Sequence, residues 1–321
     1  MDIFRKLEAA AKRKKRTIIL PESYDPRVIE AAKVMLKKKL ANLILIDTGK
    51  SIKLPENDDL DIIDIEFSVQ FAEEYKKLRS KKIKGFALTD AEKALRDPLL
   101  FACMLLKNKY ADAVVAGSVY STGNVLRSAI QTVGLSKGNK TVSSFFLMSF
   151  PKAHKMADRV FAYGDCGVLP NPTAEQLSDI AIQTSLNFKK LTGIKPKTAF
   201  LSFSTKGSAK DASTEKVIKA MHLTRRRMPG LICDGEIQFD TAFVPEVAGR
   251  KDPKGKIKGD ANVFIFPDLN AGNIAYKITE RIGGAIATGP IVQGLALPVM
   301  DLSRGCNAND IVNMSIIASL Y

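Results

Sequence analysis

Three side chains with different chemical capacities lie close together near the end of the chain: Ser303, Arg304 and Asp310. A serine hydroxyl can donate a hydrogen bond to a carbonyl oxygen that gains negative charge, and a guanidinium can hold a phosphate through two parallel hydrogen bonds. A carboxylate can accept a proton from an attacking nucleophile. Because Gly305 supplies a hinge, one turn could present these groups to the same ligand. The set predicts a site that binds an anion and moves a proton.

The segments on either side of this set predict a corner of an α/β sheet. The apolar run that begins at Ala287 predicts buried strands, and Asn307 is a suitable N-cap for a closing helix that extends to Leu320. Ligands of α/β proteins bind where a strand ends and a helix begins, and helix N-termini favour anions. The three side chains are therefore expected at a ligand-binding edge.

Each of these side chains also has a structural interpretation. Asp310 stands three residues after Asn307, so its carboxylate could cap the helix instead of accepting a proton. Ser303 could be an ordinary turn residue, and Arg304 could form a salt bridge between domains. Cys306 could carry an acyl group as a thioester. The residues alone leave these alternatives open.

Length and composition predict a globular protein with two domains. The chain has 321 residues, more than one hydrophobic core usually serves. Hydrophobic residues make up 45% and charged residues 26%, which is ordinary for a soluble protein. There is no uncharged apolar run of about 18 residues, and the first residues lack the apolar centre of a secretory signal. We therefore expect neither a membrane span nor a membrane partner.

Thiol and imidazole side chains are few and scattered. The chain has 4 cysteines and 2 histidines, and none of them shows the spacing of a zinc site, so no metal site is expected. Free cysteines suit a reducing compartment, which predicts a cytoplasmic location. Cys166 could be a nucleophile, but no histidine base lies near it in the sequence, which favours a packed structural cysteine.

Basic residues exceed acidic ones and give the chain a formal net charge of +15. Such a field could attract a phosphorylated coenzyme or a nucleic acid. The favoured explanation is a lysine-rich surface, because aromatic residues are only 7% and no nucleic-acid-binding motif accompanies the basic run at 12–16. That run is expected to end a solvated helix, and no nucleic-acid partner is predicted.

The first 150 residues alternate short apolar runs with helical patterns, which is typical of a parallel sheet flanked by helices. Thr89 with Glu92, and Thr173 with Gln176, each predict a capping box at the start of a helix. A further helix is expected over 27–39. The strands predicted in this part of the chain cover residues 17–20, 42–46, 61–65, 112–116 and 141–150.

A Gly/Ser/Thr turn follows the strand predicted to end at Ala116 and opens a helix. This turn, GSVYSTG, presents backbone N–H groups and hydroxyls, including those of Ser121 and Thr122, to an anion. Arg127 lies about a turn and a half into that helix, where it could reach a phosphate or only a surface carboxylate. Arg79, on another predicted helix, is by itself an ordinary surface cation.

Two polar loops in the second half of the chain could line a ligand site. The turn STKGS contains Lys206 and P-loop residue types without P-loop spacing, so it could bind a phosphate or be only a polar turn. The loop at 267–273 is predicted to precede a helix over 274–281. Its residues Asn270 and Asn273 could position a ligand, or its polar side chains could only cap the helix.

Five motifs of this chain resemble, in the same order, those of the phosphate acetyltransferases (phosphotransacetylases). The likeness covers essentially the whole chain, and several long motifs in order are far more specific than one short pattern. The motifs are GSVYSTGNVLRSAI (117–130), FLSFSTKGSAK (200–210), CDGEIQFDTAFVPEVA (233–248), FIFPDLNAGNIAYKI (264–278) and PVMDLSRGCNANDIV (298–312).

The resemblance implies reversible transfer of an acetyl group from acetyl phosphate to the thiol of coenzyme A in a ternary complex, without a cofactor. It implies Asp310 as the base, Ser303 as the hydrogen-bond donor to the carbonyl oxygen and Arg304 as the phosphate clamp. Direct transfer makes Cys306 non-essential. Contacts with coenzyme A are implied at Arg127 and Arg79. Further substrate contacts are expected at Ser121, Thr122, Lys206, Asn270 and Asn273.

The resemblance also implies a homodimer of chains with two α/β domains and a cleft between them. This architecture resembles that of isocitrate and isopropylmalate dehydrogenases. The expected domains are residues 1–148 completed by 291–321, and residues 149–290. The partners are small molecules, namely coenzyme A, acetyl phosphate and phosphate.

The sequence leaves three alternative functions. The acyl group could be longer, as in phosphate butyryltransferases, although the STKGSAK and PDLNAGN motifs favour acetyl. A nicotinamide-dependent oxidoreductase is disfavoured, because the chain has no GxGxxG motif and no obvious carboxylate cluster for a metal. A non-catalytic acyl-CoA-sensing module is disfavoured by the intact set of Ser303, Arg304 and Asp310.

Overall fold

The computed structural model describes residues 3–50 and 52–321, and the chain divides into two compact units. One, called here the terminal unit, consists of Phe4–Lys137 and Leu295–Tyr321. The other, the central unit, is Gly138–Gly294. The last part of the chain therefore completes the unit that its first strands begin.

Strands and helices alternate along most of the chain. The strands are β1 (Thr17–Leu20), β2 (Asn42–Asp47), β3 (Leu60–Asp64), β4 (Ala113–Ala116), β5 (Ser143–Ser149), β6 (Phe161–Gly164), β7 (Lys197–Leu201), β8 (Ile232–Ile237), β9 (Val263–Ile265), β10 (Ile286–Gln293) and β11 (Val299–Asp301). The α-helices are α1 (Ile3–Lys14), α2 (Pro26–Lys37), α3 (Ala72–Ser80), α4 (Leu88–Leu95), α5 (Pro98–Lys107), α6 (Thr122–Thr132), α7 (Ala174–Thr192), α8 (Ala212–Arg227), α9 (Phe239–Phe243), α10 (Pro245–Lys251), α11 (Leu269–Arg281) and α12 (Ala308–Ala318). A 3₁₀ helix spans Ile65–Phe71.

The terminal unit contains a five-stranded sheet in the order β11-β4-β1-β2-β3, and every neighbouring pair is parallel. The first four strands lie within a residue of their predicted positions, and the prediction of a parallel sheet in this region is confirmed. Because parallel strands end at the same edge, the loops that follow β1, β4 and β11 meet there.

The core of this unit follows from its most apolar segments. The sequence PLLFACMLLK of α5 has eight buried residues and is apolar almost all round, as a helix enclosed by other elements must be. Asp97 begins this helix by accepting a hydrogen bond from the backbone N–H of Leu100 at 3.0 Å. Phe101, Ile19 and Val114 are fully buried and belong to one hydrophobic cluster with α5. Packing of α5 against the sheet thus fixes the strands whose ends carry the site.

The central unit contains a six-stranded sheet in the order β10-β5-β6-β9-β7-β8. The pairs of β5 with β10 and with β6 are antiparallel, and the pairs among β6, β7, β8 and β9 are parallel. The domain limits expected at 148 and 291 differ from the observed units. Because β5 pairs with β10, both strands lie whole in the central unit.

Two local predictions are wrong, and one is confirmed. Helix α4 begins after Ala87, whose N–H donates to Asp90 Oδ2 at 2.9 Å, so Thr89 lies inside the helix and is not its cap. Helix α11 begins at Leu269, five residues before the predicted start, because Asp268 caps it by accepting from the N–H of Ala271 at 2.9 Å. The capping box of Thr173 and Gln176 is confirmed at the start of α7.

Within residues 3–50 and 52–321, no helix combines the length and the apolarity that crossing a membrane requires.

Candidate active site

The loop after β4 is folded around a carboxylate that the protein itself supplies. Glu22 Oε2 accepts hydrogen bonds from the N–H groups of Gly117 at 2.9 Å and Ser118 at 3.0 Å, and from Ser118 Oγ at 2.9 Å. Its Oε1 accepts from the N–H groups of Val119 at 2.7 Å and Tyr120 at 2.8 Å. The Glu22 residue is buried, with 1% of its surface exposed.

This arrangement corrects the expectation that the turn offers its backbone N–H groups to a ligand. For 117–120 that expectation is wrong, because all four N–H groups already donate to Glu22. The remaining polar groups are those of Ser121 and Thr122. Ser121 Oγ caps α6 by accepting from the N–H of Asn124 at 3.3 Å, and Thr122 is half-buried beside β11.

Arg27 ties this loop to the corner between β11 and α12. Its guanidinium donates to the carbonyl oxygens of Ser118 at 2.8 Å, Arg304 at 2.8 Å and Cys306 at 2.9 Å. It also donates to both carboxylate oxygens of Asp25 at 2.7–3.2 Å. Burial raises the pKa of Asp25, but the hydrogen bonds from Arg27 and Ser118 lower it more, so the net shift is downward. One charged pair thus links the strand ends of β1, β4 and β11.

Ser303 and Arg304 lie on that corner with exposed side chains. Ser303 Oγ accepts a hydrogen bond from the N–H of Gly305 at 3.2 Å. A hydroxyl has one donor and two acceptor positions, so this bond leaves the Ser303 proton available to a substrate oxygen. The Arg304 backbone is held through its carbonyl by Arg27, while its guanidinium remains in solvent.

Asp310 is part of a helix cap, as one of the two interpretations predicted. Its Oδ2 accepts from the N–H of Asn307 at 2.9 Å, and Asn307 Oδ1 accepts from the N–H of Asp310 at 3.1 Å. The residue is nevertheless exposed. A carboxylate has about four acceptor positions on its two oxygens. The cap therefore orients Asp310 and leaves some acceptor positions of its carboxylate unoccupied. The capping role and a role as base are compatible.

Cys306 lies between these groups but is poorly suited to carry an acyl group. The residue is buried, and burial, together with the negative charges of Asp310 and Asp25, raises the pKa of its thiol to about 11, although Arg27 lowers it. Because the thiolate is the nucleophilic form, a thiol that stays protonated near neutral pH is unreactive.

Asp301, at the end of β11, is a second buried carboxyl at this corner. Its Oδ2 accepts a hydrogen bond from Thr122 Oγ1 at 2.6 Å, and its Oδ1 is buried without a hydrogen-bond partner among the described residues. Burial, with a smaller contribution from the charge of Glu22, outweighs the hydrogen bond from Thr122, which lowers the pKa of Asp301, and raises that pKa to about 7. Gly117 makes room for it, because a Cβ at that position would lie 2.6 Å from Asp301 Oδ1.

Arg79 and Arg127 lie on two helices that contact each other. Tyr75 Oη of α3 donates to Gln131 Oε1 of α6 at 3.0 Å. Arg79 is one helical turn after Tyr75, and Arg127 is one turn before Gln131. Arg127 is exposed, and its guanidinium donates to Asn124 Oδ1 at 3.4 Å.

In the central unit, the ammonium group of Lys206 is engaged by carboxylates. Its Nζ lies 2.5 Å from Asp234 Oδ1 and 3.6 Å from Asp252 Oδ2. Burial raises the pKa of Asp234, but the ion pair with Lys206 helps to lower it below its ordinary value. In the same turn, the N–H of Gly207 donates to Glu236 Oε1 at 2.6 Å. The turn is therefore folded around internal carboxylates.

Asn270 and Asn273 lie in the first turns of α11 and differ in their surroundings. Asn270 is exposed, whereas Asn273 Nδ2 donates to the carbonyl oxygen of Cys166 at 3.2 Å. The thiol of Cys166 is fully buried, and burial raises its pKa well above the ordinary value. Asn273 thus fastens α11 to the segment after β6.

Four residues of the terminal-unit site were missed by the sequence analysis, namely Glu22, Asp25, Arg27 and Asp301. The first three belong to PESYDPR, which follows β1 at a strand-to-helix junction like that of GSVYSTG after β4. The same positional argument could have found them. Asp301 lies within the motif PVMDLSRGCNANDIV, but its burial depends on packing that no local pattern shows.

Comparisons with known proteins agree on one family. The family described as "Phosphate acetyl/butaryl transferase" matches residues 2–319. A phosphate acetyltransferase of Acetivibrio thermocellus is 47% identical over 100% of this chain and 98% of its own length, and one of Bacillus subtilis is 39% identical over 99% and 98%. A phosphotransacetylase structure from Streptococcus pyogenes matches 99% of this chain and 97% of its own with a TM-score of 0.91 and 37% identity. The chain belongs to the phosphate acetyl/butyryl transferase family.

Proposed function

We propose that this protein is a phosphate acetyltransferase, which transfers acetyl between acetyl phosphate and coenzyme A. The proposal is supported by relatives of that name at 39–47% identity over nearly the full chain. The family also includes butyryl transfer, so a longer acyl group is the alternative. We also propose that the fold resembles that of the isocitrate and isopropylmalate dehydrogenases.

The proposed reaction is a direct nucleophilic substitution at the acetyl carbonyl carbon. Asp310 accepts the proton of the coenzyme thiol, and the sulfur attacks the carbonyl carbon. A hydrogen bond from Ser303 stabilises the carbonyl oxygen as it gains negative charge. When the carbon–oxygen bond to phosphate breaks, the phosphate leaves with the electron pair, and Arg304 neutralises it. The reverse reaction uses the same groups in the opposite order.

The observation that carries this proposal is the clamp made by Arg27. Its bonds to the carbonyl oxygens of Arg304 and Cys306 fix the backbone of the corner, while the side chains of Ser303, Arg304 and Asp310 stay exposed. A fixed backbone with free functional groups is what positioning of a reaction requires.

For coenzyme A we propose contacts at Arg127 and Arg79, supported by their place on two contacting helices. Ser121 and Thr122, at the start of α6, are proposed as contacts with either of the two substrates. In the central unit, exposed Asn270 remains a proposed substrate contact. Because Lys206 and Asn273 are engaged within the protein, we propose that they hold their loops in shape.

We further propose a homodimer in the cytoplasm. Three isoleucines at spacing four, Ile274, Ile278 and Ile282, are 57%, 52% and 85% exposed on and just after α11. Side chains four residues apart lie on one helix face, so the three isoleucines form an apolar stripe that a second copy would cover.

The proposal of a cytoplasmic location rests on the free cysteines, and cell fractionation checks it.

The first prediction concerns the substrate. With coenzyme A and a panel of acyl phosphates, thioester absorbance should rise fastest with acetyl phosphate and should not require nicotinamide or ATP. A preference for butyryl phosphate of more than tenfold in kcat/KM would replace the acetyl assignment. Absence of thioester formation with every acyl phosphate would overturn the proposed function.

The second prediction separates the base from the coenzyme contacts. Asp310→Asn keeps the cap but cannot accept a thiol proton, so kcat should fall by roughly 10²–10⁴ while the KM for coenzyme A stays unchanged. Higher pH should partly restore the rate by supplying thiolate. Arg127→Ala is the contrasting variant. It should keep kcat and raise the KM for coenzyme A, because it removes a charge-assisted hydrogen bond worth roughly 1.5–3 kcal/mol of binding free energy. If Asp310→Asn keeps more than about a tenth of kcat over pH 6–9, Asp310 serves only as a cap.

The third prediction concerns assembly. Ile278→Lys places a charge in the apolar stripe and should convert the dimer to monomers in light scattering coupled to size exclusion. Ile194→Lys is the matched control, because Ile194 is a 40% exposed isoleucine of the same unit outside the stripe. A wild type that is monomeric, or an Ile278→Lys variant that remains dimeric, would refute this interface.

A further inference from the structure

The hydrogen bond between Asp301 and Thr122 is a feature of the site that the proposed reaction steps do not use. Thr122 Oγ1 lies 2.6 Å from Asp301 Oδ2, at the start of the helix that carries Arg127. Asp301 is 1% exposed, while Thr122 is partly exposed. The pair therefore connects the interior of the sheet to the surface of the site.

The surroundings of Asp301 favour a carboxyl that carries a proton near neutral pH. A buried carboxylate is costly unless hydrogen bonds satisfy both oxygens, yet Oδ1 has no partner among the described residues. Gly117 approaches Oδ1 so closely that a Cβ there would stand 2.6 Å from it. Burial raises the Asp301 pKa to about 7, with a smaller contribution from Glu22.

The elements that pack against β11 are β4, α6 and α12, and they carry few charged groups. Glu22 lies in the loop after β1, Arg127 on α6 and Asp310 on α12, while β4 contains only alanine and valine. Of these, Glu22 raises the pKa of Asp301. Its charge is itself satisfied by the loop at 117–120, so Glu22 acts as a fixed negative neighbour.

The direction of the short hydrogen bond depends on the proton of Asp301. When Asp301 is ionised, it can only accept, so the Thr122 hydroxyl proton is committed to it. When Asp301 is protonated, it can donate to Thr122 Oγ1, and the Thr122 proton is free to point toward the site. We infer that Asp301 is a positioning residue that, in its neutral form, frees the Thr122 hydroxyl to donate to an anionic phosphate oxygen of a substrate.

This inference rests on the proposed function, because its ligand is one of the two substrates of that reaction. The phosphate oxygen could belong to acetyl phosphate or to coenzyme A. Steady-state kinetics with each substrate varied in turn distinguishes these sources.

The test is the pH dependence of KM between pH 6 and 8 for wild type and variants. In the wild type, KM for one of the two substrates should rise about tenfold, equivalent to ~1.4 kcal/mol, as Asp301 ionises. Asp301→Asn cannot ionise and can donate its amide proton to Thr122, so KM should stay at the low-pH value throughout. For Thr122→Val, KM should stay at its high-pH value throughout. For Thr122→Ser, the dependence of KM on pH should match that of the wild type.

Thermal unfolding supplies a readout that does not depend on activity. A carboxyl whose folded pKa is raised loses stability as pH rises from the ordinary Asp value toward about 7. The Tm of Asp301→Asn minus that of the wild type should therefore increase from pH 5 to pH 8. This measurement also shows whether the variant is folded.

The outcomes are distinct. An Asp301→Asn variant that is folded and keeps the wild-type change of KM with pH would overturn the inference, as would one fixed at the high KM. A wild-type KM that is flat for both substrates would also overturn it. No thioester formation by the wild type at any pH would instead contradict the proposed function.

Discussion

The hydrogen bonds between the Glu22 carboxylate and the loop at 117–120 are the interaction on which the site of the terminal unit depends. A buried carboxylate is tolerated only when donors surround it, and here four backbone N–H groups and one hydroxyl do so. The N–H groups of Gly117 and Ser118 are buried, and each would cost about 1–3 kcal/mol if left unsatisfied. The buried Glu22 carboxylate and the fold of the loop at 117–120 therefore depend on each other. This loop in turn positions Ser121, Thr122 and α6.

The same physical solution recurs in the central unit. Asp165 is buried after β6 and accepts from the N–H groups of Gly167 and Leu169, each at 2.9 Å, and from Ser144 Oγ at 2.6 Å. Burial raises its pKa, although these hydrogen bonds lower it. Glu236 likewise holds the turn around Lys206. Internal carboxylates thus shape the loops in both units, which leaves a smaller set of exposed side chains to meet the substrates.

The parts of this structure that were predictable from sequence depend on local patterns. Apolar runs located β1 to β4, and the capping residues Asn307 and Thr173 located the starts of α12 and α7. Ser303, Arg304 and Asp310 were found from residue type and position at a strand-to-helix junction. Contacts between distant segments were not predictable, because nothing local shows that Glu22 would reach the loop at 117–120 or that Asp234 would engage Lys206.

Amide hydrogen exchange in the loop at 117–120 tests the central role of Glu22 most directly. The Val119 side chain is 46% exposed, so its N–H would exchange rapidly if Glu22 did not hold it. We expect these amides to be protected in the protein without substrates, unchanged by saturating coenzyme A and phosphate, and exposed in Glu22→Ala. Rapid exchange in the free protein, with protection that appears only when a substrate anion is added, would contradict this account.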